Sequence, residues 1–259
     1  DLTGDWSSDV CSSDLKTRIS VEIQAVMRKH LATQLFACGR DAGIYRWGKH
    51  ATESGKVKIM PNAIETEQFR FNLEKRERIR KELGIENKLV LGIVARVCHQ
   101  KNHPYLFRVF VEVLKKHPDA VLLVIGRGPQ DTEYRTDARK LGLADNEVRF
   151  LGVRSDVPAL LNALDVFVLP SFYEGLPVVL VEAQANGLHE VVSDRITTEM
   201  CVTDLIQFLS LECPASEWAD RILATDVSIN RRDSYSDFVK NGGYGIEMQS
   251  RLMQDFYLK

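Results

Sequence analysis

Three short segments of the chain, residues 89–94, 120–125 and 166–169, are apolar throughout and lie between stretches with helical periodicity. A strand with one wet face alternates apolar and polar residues; a strand without one is covered on both faces. Helices placed between such strands supply the cover. They also make the strands run parallel, because each helical crossover returns the chain to the same edge of the sheet. The chain is therefore read as an α/β fold: a parallel sheet with helices on both faces.

The neighbouring segments keep the alternation. Residues 74–83 are charged and helical, stopped by Gly84. Residues 102–116 form an amphipathic helix, with Leu106, Val109, Phe110 and Val113 at the i, i+3, i+4, i+7 spacing. Further helices are expected at 132–141, 157–164 and 178–186, and further strands at 148–151 and 190–193. In open parallel sheets, ligands sit beyond the carboxyl ends of the strands, where the strand order reverses. Chemistry is therefore expected in the loops after Val94, Ile125, Leu151 and Leu169.

Ahead of this series the pattern differs. Residues 19–32 read as a helix, with Ile19, Ile23, Val26 and Leu31 among basic residues. Short strands are expected at 34–37 and 56–59, with a helix between them that runs from a cap at Asp41 toward Trp47. Pro61-Asn62 marks a domain boundary. Residues 5–15 match one reading frame of a common sequencing-library adapter, so 1–15 are expected to be a non-native tail outside the fold. At the other end, residues 244–257 read as an amphipathic helix with Ile246, Met248, Leu252, Met253 and Phe256 as its apolar residues.

Two of the loops carry charge. Arg96 ends one strand, and Lys101 opens the next helix with Asn102 available as its cap. Free N–H groups and the dipole at a helix N-terminus attract anions; with two fixed cations beside them, a diphosphate fits best. An ordinary solvated loop would carry the same residues. The second loop runs Pro170-Ser171-Phe172-Tyr173-Glu174-Gly175-Leu176-Pro177 into a helix. Pro177 suits a first helical turn, and Gly175 lets backbone approach a ligand. Glu182 is a single carboxylate in an otherwise apolar helix. A buried, unpaired carboxylate is costly, so a partner is expected. Ribose hydroxyls are good donors for it, and a structural salt bridge or a solvent-facing position is the plainer alternative.

Glu174 and Glu182, spaced E-x7-E behind an apolar strand ending Leu-Pro-Ser, resemble the paired-glutamate signature of retaining GT-B glycosyltransferases of the group 1 family. Arg96-x4-Lys101 is similar to that family's diphosphate-binding cations, and residues 61–69 resemble its interdomain segment. The likeness is to bacterial polysaccharide-biosynthesis members and covers residue 16 to the end. It implies a Rossmann-like donor half at 61–240, the remnant of a truncated N-terminal acceptor half at 16–60, and a terminal helix at 241–259 that crosses back to that half. It further implies an enzyme that moves a hexose from a nucleotide sugar, of UDP type, to a saccharide or lipid-linked acceptor. Configuration would be retained, in exopolysaccharide or capsule-type biosynthesis, and the isolated fragment would be inactive. On the same resemblance, Arg96 and Lys101 hold the diphosphate, Glu182 binds the ribose and Glu174 contacts the donor sugar. The backbone at Gly175, Leu176 and Pro177 helps cradle phosphates and sugar, and the base sits near the loop after Phe150 and Leu151. Arg96, Lys101 and Glu174 are the catalytic candidates. The sequence departs from the family pattern at Ala95, where glycine is usual, at Arg127, where an acidic residue is common, and at His189-Glu190, where a proline and an apolar residue are usual.

Other classes are narrowed by what the chain lacks. The six histidines show no ligand spacing and the donor half has no DxD carboxylate pattern, so neither a metal nor another cofactor is expected. Gly126-Arg127-Gly128 lacks the full G-x-G-x-x-G and follows the wrong strand for a nicotinamide site. Five scattered cysteines without a C-x-x-C pair read as reduced cytoplasmic thiols. A net charge of -2 gives no global attraction for nucleic acid. No apolar run approaches the roughly 18 residues of a membrane span. The expected location is the cytoplasm. Arg28, Lys29 and His30 are a candidate contact with anionic lipid at the inner face of the membrane, against the plainer reading of a solvated helix face. Two other functions share the fold. A nucleotide-sugar epimerase would release altered sugar without an acceptor, and a non-catalytic module would bind nucleotide without turnover.

Overall fold

The computed structural model describes residues 32–258. The expected tail at 1–15, the expected helix at 19–32 and its Arg28, Lys29 and His30 fall outside the described residues, but for Ala32 at the helix's end. The chain divides between Met60 and Pro61 into two compact units.

In the first unit, β1 (Leu35–Ala37) and β2 (Val57–Ile59) pair in parallel, with Leu35 opposite Val57. Helices α1 (Arg40–Trp47) and α2 (Lys49–Glu53) connect them. Gly39, not Asp41, takes the N-cap position of α1; Asp41 lies in the first turn, where its charge suits the helix dipole. Trp47 fixes the return of the chain by donating its indole N–H to the Phe36 carbonyl at 2.9 Å.

The second unit opens with α3 (Thr66–Phe69) and α4 (Leu73–Leu83), the latter capped by the Asn72 carboxamide oxygen accepting the Lys75 N–H. Then follow β3 (Val90–Val94), α5 (His103–Lys116), β4 (Val121–Ile125), α6 (Asp131–Lys140), β5 (Val148–Gly152), α7 (Val157–Ala163), β6 (Val166–Leu169), α8 (Val178–Ala185) and β7 (His189–Ser193). The strand β8 (Ile206–Leu209), α9 (Ala215–Leu223), α10 (Tyr235–Val239) and α11 (Ile246–Tyr257) complete it. The six strands order as β5-β4-β3-β6-β7-β8, and every neighbouring pair is parallel. This is the doubly wound order of nucleotide-binding sheets, and its reversal lies between β3 and β6. The apolar strands earn their place: Leu91, Leu122, Leu123 and Phe167 are fully buried, covered from the helices by residues such as Phe107, Phe110 and Leu160.

The amino-terminal edge of this sheet is closed by charge. Asp165, at the start of β6, accepts from Arg76, from Arg80 and from the Val90 N–H. The guanidinium groups also take the carbonyls that end α7: Arg76 bonds those of Asn162 and Leu164, Arg80 that of Ala163, and Arg232 that of Leu164. Arg232 further clasps Asn186 through both its carbonyl and its carboxamide oxygen. Burial lowers its pKa to about 9. Gly187 makes room for this clasp: its φ is +69°, and a Cβ there would stand 2.6 Å from the Arg232 backbone. Helix α11 buries none of its residues, and Ile246, Met248 and Leu252 lie exposed along it.

Candidate functional site

The reversal between β3 and β6 brings two loops together at the carboxyl edge of the sheet. The first leaves β3 through Ala95 and the exposed Arg96, makes a turn of 3-10 helix at His99–Lys101, and enters α5. Asn102 occupies the N-cap position of α5 but does not cap it. It is buried in the left-handed region at φ 53°, and its side chain accepts no hydrogen bond from the helix; Pro104 in the first turn leaves one fewer N–H to satisfy. The β4 loop runs alongside. Gly126, at φ +131°, lies so close to the Ala95 carbonyl that a Cβ would approach its oxygen to 2.0 Å.

The second loop leaves β6 through Pro170 and the buried Ser171, whose hydroxyl has no partner among the described residues. It passes Phe172, Tyr173, Glu174, Gly175 and Leu176 to the buried Pro177. Pro177 is the N-cap of α8, one residue ahead of the expected first turn. A Cβ on Gly175 would meet nothing within 4 Å, so the space beside its backbone is open.

The two loops meet at charge. Lys101 Nζ lies 2.6 Å from Glu174 Oε1, and the two side chains are only 16% and 6% exposed. Glu174 is therefore held against one of the two cations expected at the site. Glu182 lies one turn into α8, half-buried, and no hydrogen bond or ion pair ties its side chain to the described residues. Desolvation alone pushes its pKa up to about 6. The salt bridge weighed above for this residue is not formed.

Phe150 and Leu151 lie half-buried in β5 at the same edge. The Arg135 guanidinium stands over one face of the Phe150 ring at 4.3 Å, and Phe107 meets the ring edge-on. Arg127 is exposed beyond β4.

Three features here had no signal in the sequence. Gln100 donates from its carboxamide across to the second loop, and the His99 ring stacks on Phe172 with centroids 4.9 Å apart. His103, wholly buried between Phe107 and Tyr134, is held neutral, its pKa lowered to about 4 chiefly by desolvation and then by Lys101. Each is a single polar residue whose meaning depends on a segment far away in the chain.

Chemically, the edge offers cations beside helix N-termini, a carboxylate fixed on one of them, and a second carboxylate with unused acceptor capacity. That set suits a ligand carrying both anionic oxygens and hydroxyl donors.

The family described as Glycosyl transferases group 1 matches residues 75–242. The chain is 35% identical over 229 residues to the putative glycosyltransferase EpsF of Bacillus subtilis (strain 168), covering 87% of this chain and 59% of that protein. It is 31% identical over 257 residues to the lipopolysaccharide core biosynthesis mannosyltransferase LpsB of Rhizobium meliloti (strain 1021), covering 94% and 72%. The crystal structure of Anabaena Alr3699/HepE in complex with UDP-glucose superposes with a TM-score of 0.72 at 19% identity, over 93% of this chain and 68% of that one. At that identity the likeness concerns the fold.

Proposed function

Because the chain belongs to the group 1 glycosyltransferases, we propose that its second unit binds a nucleotide-sugar donor, of UDP type, at the β3/β6 edge, and that the whole protein transfers the sugar with retention to a saccharide or lipid-linked acceptor. The observation that carries this reading is the Lys101–Glu174 ion pair, which joins the loops ahead of α5 and α8 at the strand-order reversal, with Glu182 unpartnered one turn into α8.

In this reading Arg96 and Lys101 face the diphosphate. As the bond from the anomeric carbon to the diphosphate oxygen breaks, negative charge grows on the leaving group, and fixed cations with helix N–H groups stabilise it. One such contact is typically worth about 3 kcal/mol in the transition state. The acceptor hydroxyl attacks from the same face and gives its proton to the departing phosphate. Glu174 receives hydroxyls of the donor sugar, and Glu182 receives those of the ribose. Gly175, Leu176 and Pro177 present backbone to the phosphates and sugar, and the base lies near the loop after Phe150 and Leu151. No metal ion or other cofactor is needed, since the counter-charge comes from side chains and helix ends.

The role of the pathway is of exopolysaccharide or capsule type in this proposal, with the protein in the cytoplasm and in contact with the membrane surface through its acceptor. No helix among the described residues is long and apolar enough to cross a membrane.

The test begins with binding. Thermal shift and calorimetry against UDP, GDP, uridine and a panel of nucleotide sugars should show a nucleoside diphosphate bound more tightly than its nucleoside. Equal affinity for uridine and UDP would remove the diphosphate from this edge.

A further inference from the structure

Resting on the donor-site reading above, we propose that Gln100 is the positioning residue for Glu174: its carboxamide clasps the loop after β6 to the loop after β3 and sets the Glu174 carboxylate on the Lys101 ammonium. Gln100 Nε2 donates to the Tyr173 carbonyl at 2.9 Å and to Glu174 Oε2 at 3.3 Å. The Gln100 carbonyl accepts the Phe172 N–H at 2.9 Å. His99, one residue earlier, lies flat on Phe172. Glu174 Oε1 takes the Lys101 ammonium, so both carboxylate oxygens are held by consecutive residues of one turn.

The chemistry of the amide explains why it is there. A carboxylate next to a bound diphosphate would be repelled by it. Lys101 neutralises that charge, but an ammonium on a long stem does not fix a direction. Gln100 adds two directed donors and no charge, so it can orient the carboxylate without altering the charge presented to an anion. The loop is open on its far side: Gly175 is exposed, and a Cβ there would meet nothing within 4 Å. A group that reads sugar hydroxyls must be fixed to about 0.5 Å, and such precision comes from the residues that hold it.

The clasp is tested on the ligand-free chain by hydrogen–deuterium exchange. Gln100→Met keeps length and removes both donors; Gln100→Glu turns the amide into a charge facing Glu174. Exchange across residues 171–176 should quicken roughly ten-fold in the Met variant and more in the Glu variant, with β3, β4 and β6 unchanged. The double exchange Gln100→Glu with Glu174→Gln restores the bond between the two side chains with donor and acceptor reversed, though not the bond to the Tyr173 carbonyl, and should slow exchange below that of Gln100→Glu alone. Unchanged exchange in Gln100→Met, or no recovery in the double variant, overturns the proposal. UDP added to the unaltered chain reads the donor site separately. If it slows exchange in neither 96–101 nor 171–176, the donor-site reading falls, whatever the variants show.

Discussion

At the amino-terminal edge of the six-stranded sheet, Arg76, Arg80 and Arg232 surround the one carboxylate of Asp165; at the carboxyl edge, Arg96 and Lys101 lie with Glu174 and Glu182. Both edges gather basic and acidic side chains, and the settings are opposite. The guanidinium groups at the first edge meet the carbonyl end of α7, the negative pole of a helix. Helix carbonyls supply the negative charge that a single aspartate cannot. At the second edge Lys101 directly precedes the N-cap of α5, a positive pole, and its partner Glu174 lies in the loop that enters α8. Lys101 is met there by a side chain, Glu174, and not by the carbonyl end of a helix. The helix pole that each cluster faces thus distinguishes the charge that closes the sheet from the charge proposed to meet a ligand.

The contrast is broken most severely at the closed edge. Asp165→Ala leaves buried arginines without their carboxylate, and removing one partner of a buried ionic cluster typically costs about 3–5 kcal/mol. Urea denaturation should show a loss of that size, while folded protein keeps its nucleotide affinity within about two-fold. A variant that folds normally but loses nucleotide would reverse the roles of the two edges.

At the open edge the effects should fall on binding. Arg96→Ala and Lys101→Ala should each weaken nucleoside diphosphate by roughly ten- to a hundred-fold, as expected for a hydrogen bond to a charged group, and leave the bare nucleoside nearly untouched. Arg96→Lys should weaken it too, because a forked guanidinium matches phosphate oxygens better than a point charge. Calorimetry that finds equal losses for both ligands would count against the diphosphate assignment.

Glu190 tests whether an unpartnered carboxylate is by itself a mark of function. It lies in β7, wholly buried, and both oxygens lack a partner among the described residues. Burial pushes its pKa well above the usual carboxylate range. Its folded pKa exceeds its unfolded one, so its contribution is intact below the unfolded pKa and is lost as pH rises through the folded pKa. Solvent does not reach it, and it is read as a cost, not a site. Glu190→Met should raise stability by roughly 1–3 kcal/mol at neutral pH, and by less in acid. Denaturation midpoints at pH 5 and pH 8 measure this, and an unchanged midpoint at pH 8 would mean the carboxyl has found a partner.

Much of this was legible in the sequence because it rests on local pattern. The apolar runs at β3, β4 and β6 and the period of α5 carry the fold class without long-range knowledge. What lay beyond reach depends on distant contacts. The crossover between β7 and β8 contains no regular helix, so the alternation that revealed the other strands fails there, and β8 is a short edge strand. The nine-residue α9 packs through Trp218, whose indole bonds the Ser210 carbonyl. At the site, the motif residues could be named from their spacing. The Lys101–Glu174 pair and the Gln100 clasp join residues more than seventy apart, and no spacing encodes them. Asn102 had the right residue type for a cap, but its left-handed backbone directs it elsewhere.

The smallest expected effect is the most specific one. Glu182 titrates near 6 in the free chain because it is desolvated and unpartnered. Hydroxyl donors from a ribose favour the carboxylate, so binding should pull its pKa back toward the usual range. Affinity is then full above about 6 and falls as pH drops through that value, by roughly five-fold between pH 7.5 and 5. The effect on the fold has the opposite sign: with its folded pKa raised, Glu182 contributes stability that is present in acid and lost as pH rises through about 6. Acid should therefore strengthen the fold at this residue while weakening its hold on nucleotide, a combination that a structural salt bridge would not give. The ligand should be UDP-glucose and not UDP, because the terminal phosphate of UDP titrates in the same window. Calorimetry across that range should show the slope in the unaltered chain and a flat response in Glu182→Gln. If the variant keeps the slope, another group titrates, and Glu182 belongs with Glu190 as a buried cost and not with the carboxylates that read a ligand.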